Sequence, residues 1–125
     1  MSYLYSNITE KIIGAFYNVY NTLGYGFLEK IYENAMEIEL EKMGLDFHKQ
    51  KKIQVFYNNK VIGDYYADFE VNNQVIVELK ACENLCKEHE YQLINYLKAT
   101  HLEVGLLLNF GKKAEFKRLI FTHHK

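Results

Sequence analysis

Glu78-Leu79-Lys80 places a carboxylate and an ammonium two residues apart in a segment otherwise made of valine, isoleucine and leucine. Residues at that spacing share one face of a strand, so the two charges would lie side by side. Charges in an apolar setting are costly unless partners, solvent or a cation compensate. Asp68 is the natural neighbour, because its segment runs into that of Glu78 through one tight turn at Asn72-Asn73. Two acidic groups converging at about 5 Å between strands repel unless a cation bridges them. All-oxygen ligation is what Mg²⁺ or Mn²⁺ prefers. A salt-bridged network of Asp68, Glu78 and Lys80 is the alternative that needs no metal.

Whether Asp68 and Glu78 meet depends on the turn, since a one-residue slip sends every side chain to the opposite face. A two-residue turn at Asn72-Asn73 would set Ala67 against Glu78 and leave the two acids on different faces. A three-residue loop pairs Val71 with Val75 and Phe69 with Val77 on an apolar face, and sets Asp68 against Glu78 on a polar one. The longer loop, or a bulge, is therefore expected. Glu29 follows Gly24-Tyr25-Gly26, a flexible entry that lets a carboxylate approach the sheet; otherwise it is a first-turn acid favouring the helix dipole. Gln92 and Tyr96 lie one helical turn apart on one face, either aimed at the sheet edge or forming a partly exposed seam.

The elements that must position these groups are delimited by Gly and Asn, because the chain has no proline. Asn7 with Glu10 reads as an N-cap and its reciprocal partner. They open a helix with Ile12, Ile13, Phe16, Val19, Tyr20 and Leu23 inward, ended by Gly24. A second helix spans about 27–43, with Leu28, Ile31, Tyr32, Ala35, Met36, Leu40 and Met43 on one face, and stops at Gly44. Alternation at Ile53, Val55 and Tyr57, then from Val61 to Val71, reads as a strand meander around Asn58-Asn59. Val75 to Lys80 is dense enough in β-branched residues for a central strand. A helix at about 88–99, with Leu93, Ile94 and Leu97 inward, and strands at 104–110 and 116–122 follow. The expected order is α-α-β-β-β-β-α-β-β, an α/β sandwich with a mixed sheet.

At 125 residues, with 49% hydrophobic and 25% charged, the chain fits one domain over 1–125, and its 11 Tyr and 8 Phe supply a core without staples. Cys82 and Cys86 are too few for a disulfide framework, and no charged segment leads into an apolar signal core, so a cytoplasmic protein is expected. Apolar runs such as Val104 to Leu108 fall short of the roughly 20 residues that cross a bilayer. The net charge of -1 gives no global attraction for a polyanion. Locally, Lys49, Lys51 and Lys52 cluster, as do Lys112, Lys113, Lys117 and Arg118, and could touch phosphates; as edge-strand lysines they would equally deter aggregation. Cys82, Cys86 and His89 form a C-x-x-x-C-x-x-H string with only three candidate ligands, so the cysteines read as small fillers where the third helix starts. His48, His101, His123 and His124 read as surface residues.

With these residues in place, the chain resembles the GxxExxY family, a small-protein branch of the PD-(D/E)XK nuclease superfamily. The naming motif stands as Gly26-Phe27-Leu28-Glu29-Lys30-Ile31-Tyr32. Asp68, Glu78-Leu79-Lys80 and Gln92-Leu93-Ile94-Asn95-Tyr96 match the superfamily's acid, E-x-K and Q-x-x-x-Y elements in order. The likeness extends to Asn95-Tyr96-Leu97-Lys98-Ala99 and to Gly105 through Gly111, nearly the whole chain. Ala67 stands where a proline often precedes the acid, a position without chemistry of its own.

The resemblance implies a restriction-endonuclease-like core and a Mg²⁺- or Mn²⁺-dependent nuclease acting on DNA or RNA. Asp68, Glu78 and the Leu79 carbonyl would hold the metal, and Lys80 would orient the attacking water and offset charge. Glu29 would take a second metal or a metal-bound water, and Gln92 would position Lys80 or a phosphate with Tyr96 behind it. Nucleic acid would be the partner, and aromatic residues exposed on the first helix would allow a homodimer. The rival reading is a non-catalytic nucleic-acid-binding or protein-interaction domain that keeps the fold, favoured by the near-neutral charge and single arginine. The intact acidic set with Lys80 favours the enzyme. A structural or regulatory domain within a larger complex draws support only from the many tyrosines.

Overall fold

The computed structural model describes residues 5–123, so the expectation for His124 lies outside the described residues. Helices α1 (Ser6–Leu23) and α2 (Glu29–Lys42) precede strands β1 (Phe47–Tyr57), β2 (Lys60–Val71) and β3 (Val75–Lys80). Helix α3 (Lys87–Lys98) and strands β4 (Val104–Phe110) and β5 (Ala114–Ile120) complete the order. Three strands, not four, precede α3. Lys60 to Val71 is one continuous strand, in which Ile62 is the extra, unpaired residue opposite the register shift at Val55/Phe56.

The five strands form one sheet in the order β1-β2-β3-β4-β5. Neighbours are antiparallel except β3 and β4, which run parallel through the α3 crossover. Asn58 and Asn59 both adopt positive φ, 49° and 65°, which gives the two-residue turn that a twisted hairpin needs. Asn72 and Asn73 do likewise at 53° each, and Gln74 is the third loop residue. Val71 therefore faces Val75 and Phe69 faces Val77, the register expected from the faces.

Helices α1 and α2 cover one face of the sheet. Ile12, Phe16, Tyr32, Met36 and Leu40 pack there on Phe69, Val71, Val77, Leu79 and Phe110. Helix α3 covers the other, where Leu93, Tyr96 and Leu97 meet Ile53, Ala67, Ile76 and Leu107. The site lies at one end of β3, between the start of α2 and α3.

Local corrections have physical causes. Asn7 caps nothing: α1 starts two residues earlier, at Ser6 after Tyr5, with Thr9 buried and Ile8 packed on the core in its first turns. Helix α2 starts at Glu29, leaving Leu28 80% and Ile31 43% exposed, because Tyr32 and Glu33 turn toward the sheet instead. Strand β5 begins at Ala114, not 116. His123 is half-buried, with its ring against Phe121 and its Nε2 2.9 Å from the Leu102 carbonyl.

Candidate active site

The GxxExxY segment has a mechanical explanation. Gly26 sits at φ 110°, in the region that glycine alone adopts freely. The Tyr32 hydroxyl donates to the Gly24 carbonyl at 2.7 Å and accepts the Phe27 N–H at 3.2 Å. Its ring stacks on Phe110 at 4.2 Å. One buried tyrosine thus ties the α1–α2 loop to the sheet and fixes where α2 begins, which is at Glu29.

Strands β2 and β3 stop pairing regularly beyond Phe69 and Val77. There the carboxylates take over the ladder. The Asp68 N–H donates to Glu78 Oε2 and the Leu79 N–H donates to Asp68 Oδ2, both at 2.7 Å. Each acid is thereby clamped to the main chain of the other's strand. Glu78 is buried, and burial first, then the charge of Asp68, pushes its carboxyl up to about 9. Lys80, two residues on, donates from Nζ to Gln92 Oε1 at 3.2 Å. Tyr96, one turn beyond Gln92, is buried; desolvation and then the charges of Glu78 and Asp68 hold its hydroxyl protonated.

Glu29 stands at the rim, exposed yet electrostatically coupled to the group. Partial burial raises its carboxyl, Lys80 opposes, and Asp68 reinforces the rise. The structure thus brings Glu29, Asp68, Glu78, Lys80, Gln92 and Tyr96 to one end of β3. Among the described residues no three His, Cys, Asp or Glu side chains converge as a finished metal cage. The donors present nevertheless suit a hard cation: two adjacent carboxylates whose mutual repulsion a divalent ion would relieve, in an all-oxygen setting.

The predicted basic surface is largely neutralised. Lys49 reaches Glu37 at 3.0 Å, Lys51 and Lys52 lie 3.9 Å from Glu70 and Asp64, and Lys117 meets Glu90 at 3.0 Å. Lys112 and Lys113 stay exposed in the β4–β5 turn, away from these pairs. Cys86 is no filler: it is exposed at the start of α3, where its N–H donates to His89 Nδ1 at 3.3 Å. Cys82 is half-buried, and Asn109, fully buried opposite Lys80, exchanges amide hydrogen bonds with its main chain at 3.0 and 2.9 Å. A Cβ on Gly111 would come within 2.4 Å of the Cys82 carbonyl, so only glycine lets β4 approach the segment leaving Lys80 so closely.

Two further residues escape sequence reasoning. Glu33, buried on α2, bonds to Gln50 Nε2, and the same amide reaches Asp68 Oδ1 at 3.2 Å. Gln50 holds φ 54°, unusual for a residue with a side chain. At this point the faces of the hairpin exchange. Phe47 and Phe69 join the core under α1 and α2, whereas Ile53 and Ala67 join the core under α3. Glu33 lies one turn from Glu29, a spacing that could have drawn notice; Gln50 left no signal.

A mixed sheet flanked by helices, with this acid, E-x-K and Q-x-x-x-Y geometry at the end of a central strand, defines the restriction-endonuclease-like class of α/β domains. A family profile described as the PD-(D/E)XK nuclease superfamily matches residues 6–119, and the chain belongs to that superfamily. No curated protein matches it. Among solved structures, the crystal structure of SSO0001 superposes with a TM-score of 0.59 at 17% identity, covering 77% of this chain and 52% of that one. The chain therefore spans about half of SSO0001, and the likeness is one of fold. Among the described residues no helix is long and apolar enough to cross a membrane.

Proposed function

We propose that this domain is a nuclease of the GxxExxY branch that hydrolyses phosphodiester bonds, with DNA as its substrate and RNA as the nearest alternative. The observation that carries this reading is the mutual clamping of Asp68 and Glu78 beside Lys80. Asp68, Glu78 and the Leu79 carbonyl would hold Mg²⁺ or Mn²⁺, with Glu29 contributing from the rim. When bound, such an ion polarises a phosphoryl oxygen and lowers the pKa of a coordinated water.

The chain's own groups divide the remaining work. Gln92 holds the Lys80 ammonium near the acids, where it can orient water and offset charge developing on the phosphate. Tyr96 closes the floor behind Glu78 and keeps bulk water from that side. Lys112 and Lys113 remain available for phosphate contacts, whereas Lys49, Lys51 and Lys52 already have acidic partners.

That neutralised surface favours the second reading, a binding domain that keeps the fold without cleaving. Incubation of the purified protein with linear, circular and single-stranded DNA and with RNA, under Mg²⁺, Mn²⁺ or chelator, separates the two. Cleavage that needs the metal and falls by about a hundredfold or more in Lys80→Ala supports the nuclease. Cleavage that survives that substitution unchanged sinks it.

A further inference from the structure

A groove leads away from Gln92 and Tyr96 between the β1–β2 hairpin and α3. Two hollows, of about 230 and 520 Å³, share Tyr65 and Asn95 and so form one trough. The inner one touches Tyr91 and Gln92, and the outer one Gln54, Phe56 and Lys98. Tyr91 is 62% exposed, Phe56 59% and Tyr65 42%. Tyr65 is braced from below by Tyr96, ring centroids 5.2 Å apart, so its orientation is fixed by the buried layer.

We infer that this groove binds unpaired nucleotides and, on the nuclease reading above, delivers a single strand to the Asp68–Glu78–Lys80 site. Three aromatic rings spaced along one trough offer faces to flat, apolar partners, and every base has such a face. The same hollows are lined by the exposed amides of Gln54 and Asn95, which can donate to and accept from base edges. Duplex DNA cannot use these rings, because its bases are already stacked on one another. The charged groups lining the groove, Lys98 and Glu88, are of opposite sign, so attraction for a dense double row of phosphates is weak there. Stacking and amide contacts therefore dominate, and both select for unpaired strands. The inner end opens at Gln92, the residue that holds Lys80, so a strand lying in the groove has its backbone close to the acids.

The test is fluorescence anisotropy in EDTA, with a labelled single-stranded oligonucleotide and a labelled hairpin duplex as probes. Single-stranded DNA is expected to bind more tightly than duplex, and Tyr91→Ala and Phe56→Ala each to weaken it about fivefold or more, the loss that follows removal of a stacked base. Both side chains are exposed, so the variants keep their fold, as circular dichroism would verify. Equal affinity for duplex, or unchanged single-strand affinity in both variants, overturns the inference. So does sedimentation showing that wild-type protein self-associates through these rings and the variants do not. Lys80→Ala separates the two readings: lost cleavage with retained single-strand affinity supports both. An inert wild type that still loses single-strand affinity in Tyr91→Ala keeps the groove and discards the nuclease.

Discussion

At its turn the β2–β3 hairpin is a closed ladder: Val71 faces Val75, Phe69 faces Val77, and the side chains on that face are wholly buried under α1 and α2. At its mouth, beyond Phe69 and Val77, the Asp68 and Leu79 N–H groups turn to the carboxylates of Glu78 and Asp68 instead of to carbonyls. The two ends are built from neighbouring residues of the same strands, yet one is optimised for burial and the other brings together two acids that share the site only while Glu78 keeps its proton or a cation joins them. The closed end supplies the stability that lets the open end be unfavourable, the usual relation between a scaffold and a strained site.

The largest effect should fall on the closed end. Phe69→Ala removes a fully buried ring and should cost about 3–5 kcal/mol of stability, read as a shifted denaturant midpoint. Metal-dependent cleavage by the fraction still folded should persist. A midpoint within error of wild type would mean that the hairpin is held elsewhere.

The open end should answer in the opposite sense. Asp68→Asn keeps an oxygen for the Leu79 N–H but removes the anionic charge that would hold the cation, so cleavage should fall by about two to three orders of magnitude. It also removes the effect of that charge on Glu78. The melting temperature in EDTA should hold or rise. A pH signature accompanies it. The Glu78 carboxyl is raised to about 9 in the fold against 4.5 when free, so the folded chain binds that proton more tightly. The stability it contributes is complete below about pH 4.5 and is lost as pH rises through 9. Glu78→Gln should flatten that fall in chelator-treated protein; an unchanged slope would mean that Glu78 is not the group losing its proton over that range.

A smaller effect tests how the register is set. Asn72 combines positive φ with side-chain acceptance of the Asp46 N–H at 2.9 Å. Asn72→Ala should cost about 1–2 kcal/mol by denaturant titration while leaving the cleavage rate of folded protein unchanged. A fall in rate matching Asp68→Asn would mean that the turn, and not the mouth, sets the alignment of the acids.

This contrast explains what the sequence could and could not disclose. The three-residue loop was legible because period-two alternation and burial of Phe69 and Val71 permit one register only. Gln92 and Tyr96 were legible because a helix places such a pair on one face. The partners of Lys49, Lys51 and Lys52 were not, because they come from α2 and from across the hairpin. Burial of Glu33 was hidden for the same reason: it is set by how α2 docks. Alternation presumes a regular strand, so the exchange of faces between Phe69 and Ala67 lay beyond it, as did the position of Gln50 at that crossing.

Gln50 gives the finest test of the comparison, because it joins the scaffold to the acids. Its amide bridges Glu33 and Asp68, and its backbone is left-handed. Gln50→Gly deletes the bridge but relieves the backbone, by up to about 1–2 kcal/mol. Stability should therefore hold or rise while Mn²⁺ affinity, measured by calorimetry, weakens about tenfold, as losses of groups that orient ligands do. Gln50→Ala should weaken Mn²⁺ binding equally without the stability gain. If both variants bind Mn²⁺ as wild type does, the left-handed residue serves only to twist the hairpin, and Asp68 is aligned by Leu79 and Glu78 alone.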